Sequence, residues 1–198
     1  EITQLANAHT LVFGGFSSET SILGTGTITF DFGTWSSGSF SANSTRLSKK
    51  IDIDASNNTL VGLRDAINSQ EMQVVASILK TGDNSYSLML KSDEGSANAM
   101  RLTTIESPSG SGLSSISYSS FDNAIETVAA SDASFTIDGT TITRDKNTIS
   151  DLIDGVTMTL NSTTSSAETV SAAYDSKVAE SAGLLVLLKK TETDLKIR

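Results

Sequence analysis

Residues 25–32 read Thr-Gly-Thr-Ile-Thr-Phe-Asp-Phe. From Thr27 onward polar and apolar side chains alternate strictly, and a period of two is that of a β-strand, so Ile28, Phe30 and Phe32 fall on one face. Working outward, Lys50-Ile51-Asp52-Ile53-Asp54 repeats the period. Leu60, Leu63, Ala66 and Ile67 instead follow helical spacing, with Asn58 or Thr59 as N-cap and Asn68 near the end, which predicts a helix of two to three turns. Val74–Leu79 and Ser85–Lys91 flank the turn residues Thr81-Gly82-Asp83-Asn84 and read as a hairpin. Residues 107–120, rich in Ser and Gly, read as a surface excursion that rejoins structure near Phe121. Further on, Phe135-Thr136-Ile137 and Thr141-Ile142-Thr143 flank Asp138-Gly139-Thr140, a strong hairpin signal. Residues 147–155, from Asn147 to Gly155, read as a second short helix, capped by Asn147 or Thr148 and closed by Gly155. Val156–Leu160 is an alternating strand, and Glu168–Tyr174 reads as another. The segments Asn58-Thr59-Leu60 and Asn147-Thr148-Ile149 form a weak repeat, each expected to cap a helix. The class is mainly β or α+β, with two small β-rich domains, each carrying a short helix against antiparallel strands.

Composition removes several kinds of chemistry. The 198 residues include 58 Ser and Thr, one Pro, one His and no Cys. Without cysteine there is no disulfide scaffold, no thiol nucleophile and no thiolate metal site. With 37% apolar residues the core is lean, yet the regular Val, Ile, Leu and Phe clusters argue for a folded chain. A net charge of −9 disfavours nucleic acid and anionic membranes, both of which demand basic patches. The longest apolar run is Leu184–Leu188, far short of the ~18 residues that span a bilayer. Glu1-Ile2-Thr3-Gln4 shows neither a basic region nor an apolar stretch of a leader peptide.

Each short motif has a plain structural reading. Asp31-Phe32-Gly33 spells the kinase magnesium triplet without the lysine or catalytic loop that would accompany it, and it lies in an alternating strand. Asp31 to Trp35 resembles a shortened Asp-box, but fits a strand end with a surface tryptophan better. Asp52-Ile53-Asp54 begins like a calcium loop, but Asn57 stands where glycine is needed and Leu63 where the bidentate glutamate is needed. His9 has no Gly-x-Ser-x-Gly partner motif and reads as a hydrogen-bonded structural histidine. The pairs Gly24/Gly26 and Gly110/Gly112 lack the third glycine of a dinucleotide loop and read as turns. No residue is put forward as catalytic, cofactor-binding or metal-binding, and no cofactor or enzymatic activity is expected.

The order of the pieces carries a family resemblance. Thr3-Gln4-Leu5-Ala6 with Ala8-His9 resembles the entry segment of the hook-associated protein 2 family, the flagellar filament-capping proteins. Ile51–Ile53, Leu60, Leu63–Asn68, Val75–Ile78 and Tyr86–Leu90 resemble the flagellin-type IN motif. Ala133–Gly139, Asn147–Asp151 and Gly155–Leu160 are similar to the start of the family's C-terminal half. Residues 34–50, 107–125 and the terminal segment match poorly.

The resemblance implies the central plate of a cap, domains D2 and D3, with the helical legs and terminal arms largely absent. It implies a structural and assembly role: a ring of subunits, secreted to the extracellular tip of the flagellum, that retains exported flagellin and promotes its polymerisation. Flagellin and other cap subunits are the implied partners, with host mucin as a further one through adhesion, and neither nucleic acid nor membrane insertion is expected. The expected division is residues 1–23 plus 131–176 as an outer, D2-like plate domain, 24–130 as an inserted, D3-like IN-motif domain, and 177–198 as a truncated or adventitious helical tail. In that tail Leu184–Leu188 would cover every direction of a helix, so docking on the chain's own sheet or on a neighbouring copy is expected; the excised plate itself is expected to be monomeric or weakly associated. The rival reading is a β-rich surface adhesin or carbohydrate-binding module resting on Trp35 and the Ser-rich loops; a glycan hydrolase would need two facing carboxylates.

Overall fold

A computed structural model describes residues 1–119 and 123–164. The strands in chain order are β1 (Ile2–Gln4), β2 (Ala8–Phe16), β3 (Gly26–Ser36), β4 (Ser39–Ala42), β5 (Lys49–Ile53), β6 (Val74–Gly82), β7 (Ser85–Glu94), β8 (Ala99–Glu106) and β9 (Ile125–Val128). They continue with β10 (Ala133–Ile137), β11 (Thr140–Arg144), β12 (Thr148–Ile153) and β13 (Val156–Thr159). One α-helix, α1 (Leu60–Ser69), lies between β5 and β6 among the described residues. None of the described helices is long and apolar enough to cross a membrane.

The chain divides into two compact units, Asn7–Ser131 and the pair Glu1–Ala6 with the chain from Asp132 onward. The larger unit has two antiparallel sheets. In one, β3 pairs with β8 along its length, with β5 at its start and with β4 at its end. In the other the order is β6-β7-β2-β9. The inward faces share one core: Ile28, Phe30, Phe32, Ile51, Ile53, Met100 and Leu102 from the first sheet, and Leu11, Phe13, Val74, Ala76, Leu88 and Leu90 from the second. The β3 alternation thus puts its three large apolar side chains where the period of two required.

Helix α1 closes this core with Leu60, Leu63 and Ile67. Its N-cap is Thr59, whose hydroxyl accepts from the Gly62 N–H at 3.1 Å, satisfying one of the orphan donors of the first turn. At its other end Asn68 clamps the β6 backbone: its amide oxygen accepts from Ala76 N–H at 2.8 Å and its amide nitrogen donates to the Ala76 carbonyl at 3.0 Å.

The smaller unit pairs β1 with β10 and β10 with β11, and adds the β12–β13 hairpin. Ile2, Ala6, Ala133, Phe135, Ile149 and Leu160 form its core. The β10–β11 turn is Asp138-Gly139, both at positive φ, as a two-residue turn matched to strand twist requires.

Four expectations are corrected. The division falls at Ala6/Asn7 and Ser131/Asp132, not at 23/24 and 130/131, because β2 pairs with β7 and β9 and sends Leu11 and Phe13 into the larger core. Residues 147–155 are not a helix. Asp154-Gly155 is the turn of a hairpin joining Ile153 to Val156, so the glycine read as a helix C-cap closes two strands instead. Asn147, read as an N-cap, is bound elsewhere: its oxygen accepts from Ala6 N–H and its nitrogen donates to the Ala6 carbonyl, both at 2.9 Å. The supposed repeat fails with that helix, so only the larger unit sets a helix against its sheets among the described residues. Lastly, residues 107–119 are no mere excursion, since Leu113, Ile116 and Tyr118 are fully buried. Glu106 holds that loop, its carboxylate accepting N–H groups from Gly110, Gly112 and Ser114 at 2.6–3.1 Å. The readings at Phe121, Glu168–Tyr174 and the tail lie outside the described residues.

The Asn147 clamp ties the N-terminal strand to a segment more than a hundred residues away. Asn147→Ala leaves both polar groups of Ala6 unpaired, which is expected to cost about 1–3 kcal/mol in urea unfolding. A loss below about 0.5 kcal/mol, the usual scale of surface substitutions, would show that the clamp contributes nothing.

Candidate interaction surface

The two sheets of the larger unit turn unlike faces outward. Along β8, β3 and β5 the outward residues are Thr27, Thr29, Asp31, Lys50, Asp52, Arg101, Thr103 and the apolar Ile105, and at the β4 end the Phe40 ring lies 4.6 Å from the Arg101 guanidinium. That face is laced with polar contacts. Arg101 meets Asp31 at 2.8 Å, Ser48 donates to Asp31, and Thr27 donates to Asp52 at 2.9 Å.

The β6-β7-β2-β9 sheet differs. Register places Val75, Lys91, Thr10 and Val128 in one outward row and Ser77, Met89, Val12 and Ile125 in the next, with Leu79 beyond them. Paired residues of antiparallel strands share a face, so these side chains form a continuous apolar surface interrupted by Lys91, Ser77 and the nearly buried Thr10. Val75 is 61% exposed and Ile125 69%. Clusters of exposed apolar residues on a sheet face mark interaction surfaces, whereas lone ones need no explanation.

The side chains weighed as chemical groups are bound up in the fold. His9 is fully buried on β2: its Nδ1 accepts the Met100 N–H at 2.9 Å and its Nε2 lies 2.9 Å from Glu126 Oε1. Trp35, half-buried, donates its indole N–H to the Met100 carbonyl at 3.0 Å. Two rings therefore grip the backbone of one residue of β8, and Tyr118 lies 5.8 Å from each of them. Trp35 also packs on Phe40 at 5.0 Å, so it offers no open aromatic platform for a sugar.

The Asp31-Phe32-Gly33 triplet is explained by packing. Asp31 pairs with Arg101, and Phe32 is a core ring with the Arg46 guanidinium 3.5 Å above its centroid. At Gly33 a Cβ would sit 2.0 Å from the Ser41 carbonyl oxygen, so β4 can approach only a glycine there. Asp52 accepts the Thr27 hydroxyl on the strand, and Asp54 serves the turn after β5. Hydrogen bonds from the Ser56 hydroxyl and then its N–H hold the Asp54 carboxyl below its ordinary range. Among the described residues no group of three or more His, Asp and Glu is placed to hold a metal ion.

Sequence reading missed Arg46, β4 and the two asparagine clamps. Ser37-Gly38, both at positive φ, is the turn that joins β3 to β4, and that dipeptide was the available signal. Arg46 and the asparagines act on distant backbone, so nothing local marks them.

Comparison with known proteins agrees with this architecture. Residues 130–182 match the family model of the flagellar hook-associated protein 2 C-terminus. The flagellar hook-associated protein 2 of Salmonella typhimurium is 30% identical over 132 residues, 66% of this chain and 28% of that protein. Its counterpart in Escherichia coli O157:H7 is 39% identical over 103 residues, 51% of this chain and 22% of that protein. Among solved structures, the D2-D3 domains of the flagellar cap protein FliD from Escherichia coli superpose with a TM-score of 0.70 at 31% identity, covering 83% of this chain and 81% of that one. Those from Serratia marcescens in space group P432 give 0.71 at 31%, covering 84% and 86%.

The relatives and solved structures that this two-unit, mainly β chain resembles are flagellar proteins. The chain belongs to the flagellar hook-associated protein 2 family, the flagellar cap proteins. It spans about a quarter of the length of the curated relatives it matches.

If the apolar face is a surface and not part of the core, Val75→Lys and Ile125→Lys should change urea-unfolding stability by no more than about 0.5 kcal/mol. The inward neighbour Leu11→Ala should cost about 2–5 kcal/mol in the same experiment. Comparable losses at all three positions would put the outer face inside the folded core.

Proposed function

We propose that this chain forms part of the cap at the tip of a bacterial flagellar filament, outside the cell, where the assembled cap retains exported flagellin and promotes its polymerisation. The observation that carries the reading is its likeness, across both units, to the D2-D3 domains of cap proteins. In it, Asn7–Ser131 is the D3-like domain, and Glu1–Ala6 with the chain from Asp132 is the D2-like one. The role is mechanical, and its partners are other cap subunits and flagellin. The residues assigned to those protein contacts are Val75, Leu79, Met89, Val12, Ile125 and Val128, because an apolar sheet face gains most from losing water.

The test uses a full-length cap protein containing this chain, mixed with flagellin and viewed by electron microscopy. Wild type should place rings on filament ends, and Val75→Lys with Ile125→Lys should reduce them. Thr29→Lys with Thr103→Lys, on the polar face, should cap like wild type. Normal capping by the first pair alongside failure of the second would contradict the assignment, and absence of rings for wild type would contradict the function.

A further inference from the structure

We propose that His9 is an acid-sensitive latch that fastens edge strand β9 and the start of β8 to β2, and that a proton on its Nδ1 opens it. The neutral ring with hydrogen on Nε2 satisfies both neighbours, donating to Glu126 and accepting the Met100 N–H, each at 2.9 Å. A proton on Nδ1 turns that acceptor into a donor facing another donor. Flipping the ring brings no relief, because both nitrogens then carry hydrogen. The side chain has no exposed surface, so the displaced Met100 N–H is left without its partner in a buried place.

The surrounding charges do not cancel this conflict. On β9, Glu126 faces Nε2 and favours the imidazolium, but burial opposes the charge more strongly and holds His9 below its ordinary value of 6.5. On β7 the neighbouring group is the neutral Ser92, whose hydroxyl accepts the His9 backbone N–H at 3.1 Å. Its neighbour Asp93 acts on Arg46, and Lys91 stands in the outward row of the sheet. On β8, Arg101 is committed to Asp31, and among the described residues beyond β8 the Tyr118 ring lies 5.8 Å away.

The sign follows from linkage. The folded chain binds the His9 proton less readily than the unfolded chain, so the latch's contribution is complete above 6.5. It declines as pH falls below that value, and levels off once the folded-state value is passed. Asp54 and Glu106 are also held below their ordinary values, by hydrogen bonds from Ser56 and Ser114 respectively, so their contributions are lost only at lower pH, in the carboxylate range. Strand β9 places no residue in the buried core and pairs only with β2 among the described strands, so it depends heavily on this contact. Ile125 and Val128 flank Glu126, and on the proposed role of the apolar face, acid would dismantle its β9 end.

The test is amide hydrogen exchange on the 198-residue chain between pH 7.5 and 5.5, corrected for intrinsic rates. Protection of Met100 and the β9 amides should fall with pH, while the β6–β7 ladder keeps its protection. His9→Gln can accept from Met100 and donate to Glu126 without titrating, and should abolish the pH dependence. Equal pH dependence in both proteins, or unchanged protection in wild type, overturns the latch. Should the variant not fold, nuclear magnetic resonance of the single imidazole decides: a neutral ring protonated on Nε2 with a midpoint below 6.5 supports it, and a midpoint at or above 6.5 overturns it.

Discussion

Strand β3 is confined on three sides, and the larger unit is arranged around that confinement. Both of its edges are hydrogen-bonded, to β8 on one side and to β5 and then β4 on the other. Its inward face is filled by Ile28, Phe30 and Phe32, all but removed from water. A one-residue slip of register would exchange those side chains for Thr27, Thr29 and Asp31, burying a carboxylate and exposing two phenyl rings. The partner strands inherit that register. The second sheet and α1 then pack against a surface whose shape is already set.

Away from β3, the structure repeatedly uses polar side chains as backbone partners. Asn147 and Asn68 each make paired amide contacts with one alanine, Ala6 and Ala76. His9 and Trp35 satisfy the N–H and carbonyl of Met100, and Glu106 gathers three N–H groups of the following loop. Buried or half-buried backbone must find partners, and where Ala6, β6 and β8 lack a neighbouring strand at these positions, a side chain takes that place. The residues most suggestive of chemistry in a motif scan are therefore part of the scaffold.

That distinction explains what the sequence made legible. Period-two alternation around Phe30, the Asp138-Gly139 hairpin and the capped helix at Thr59 are local signals, and each is found at its expected place. The segment from Asn147 to Gly155 misled because its ends carry residues equally suited to capping a helix or turning a hairpin, and the choice was made by pairing with Val156–Thr159. The boundary after Ala6 was illegible for a similar reason, since β2 finds its β7 partners 70 to 86 residues away. The apolar face could not be read either. Val75, Val12 and Ile125 are isolated in sequence and become a surface only when β6, β2 and β9 are aligned.

The contrast between the two outer faces is the link from fold to function. A polar, ion-paired face suits water, while an apolar face of an otherwise well-sealed unit suits another protein. Amide exchange of an assembled cap against free subunits, resolved to single strands, tests this most directly. Slower exchange on assembly confined to β6, β7, β2 and β9 is the result this account predicts. Slowing confined to β3, β5 and β8, with the other sheet unchanged, would contradict it.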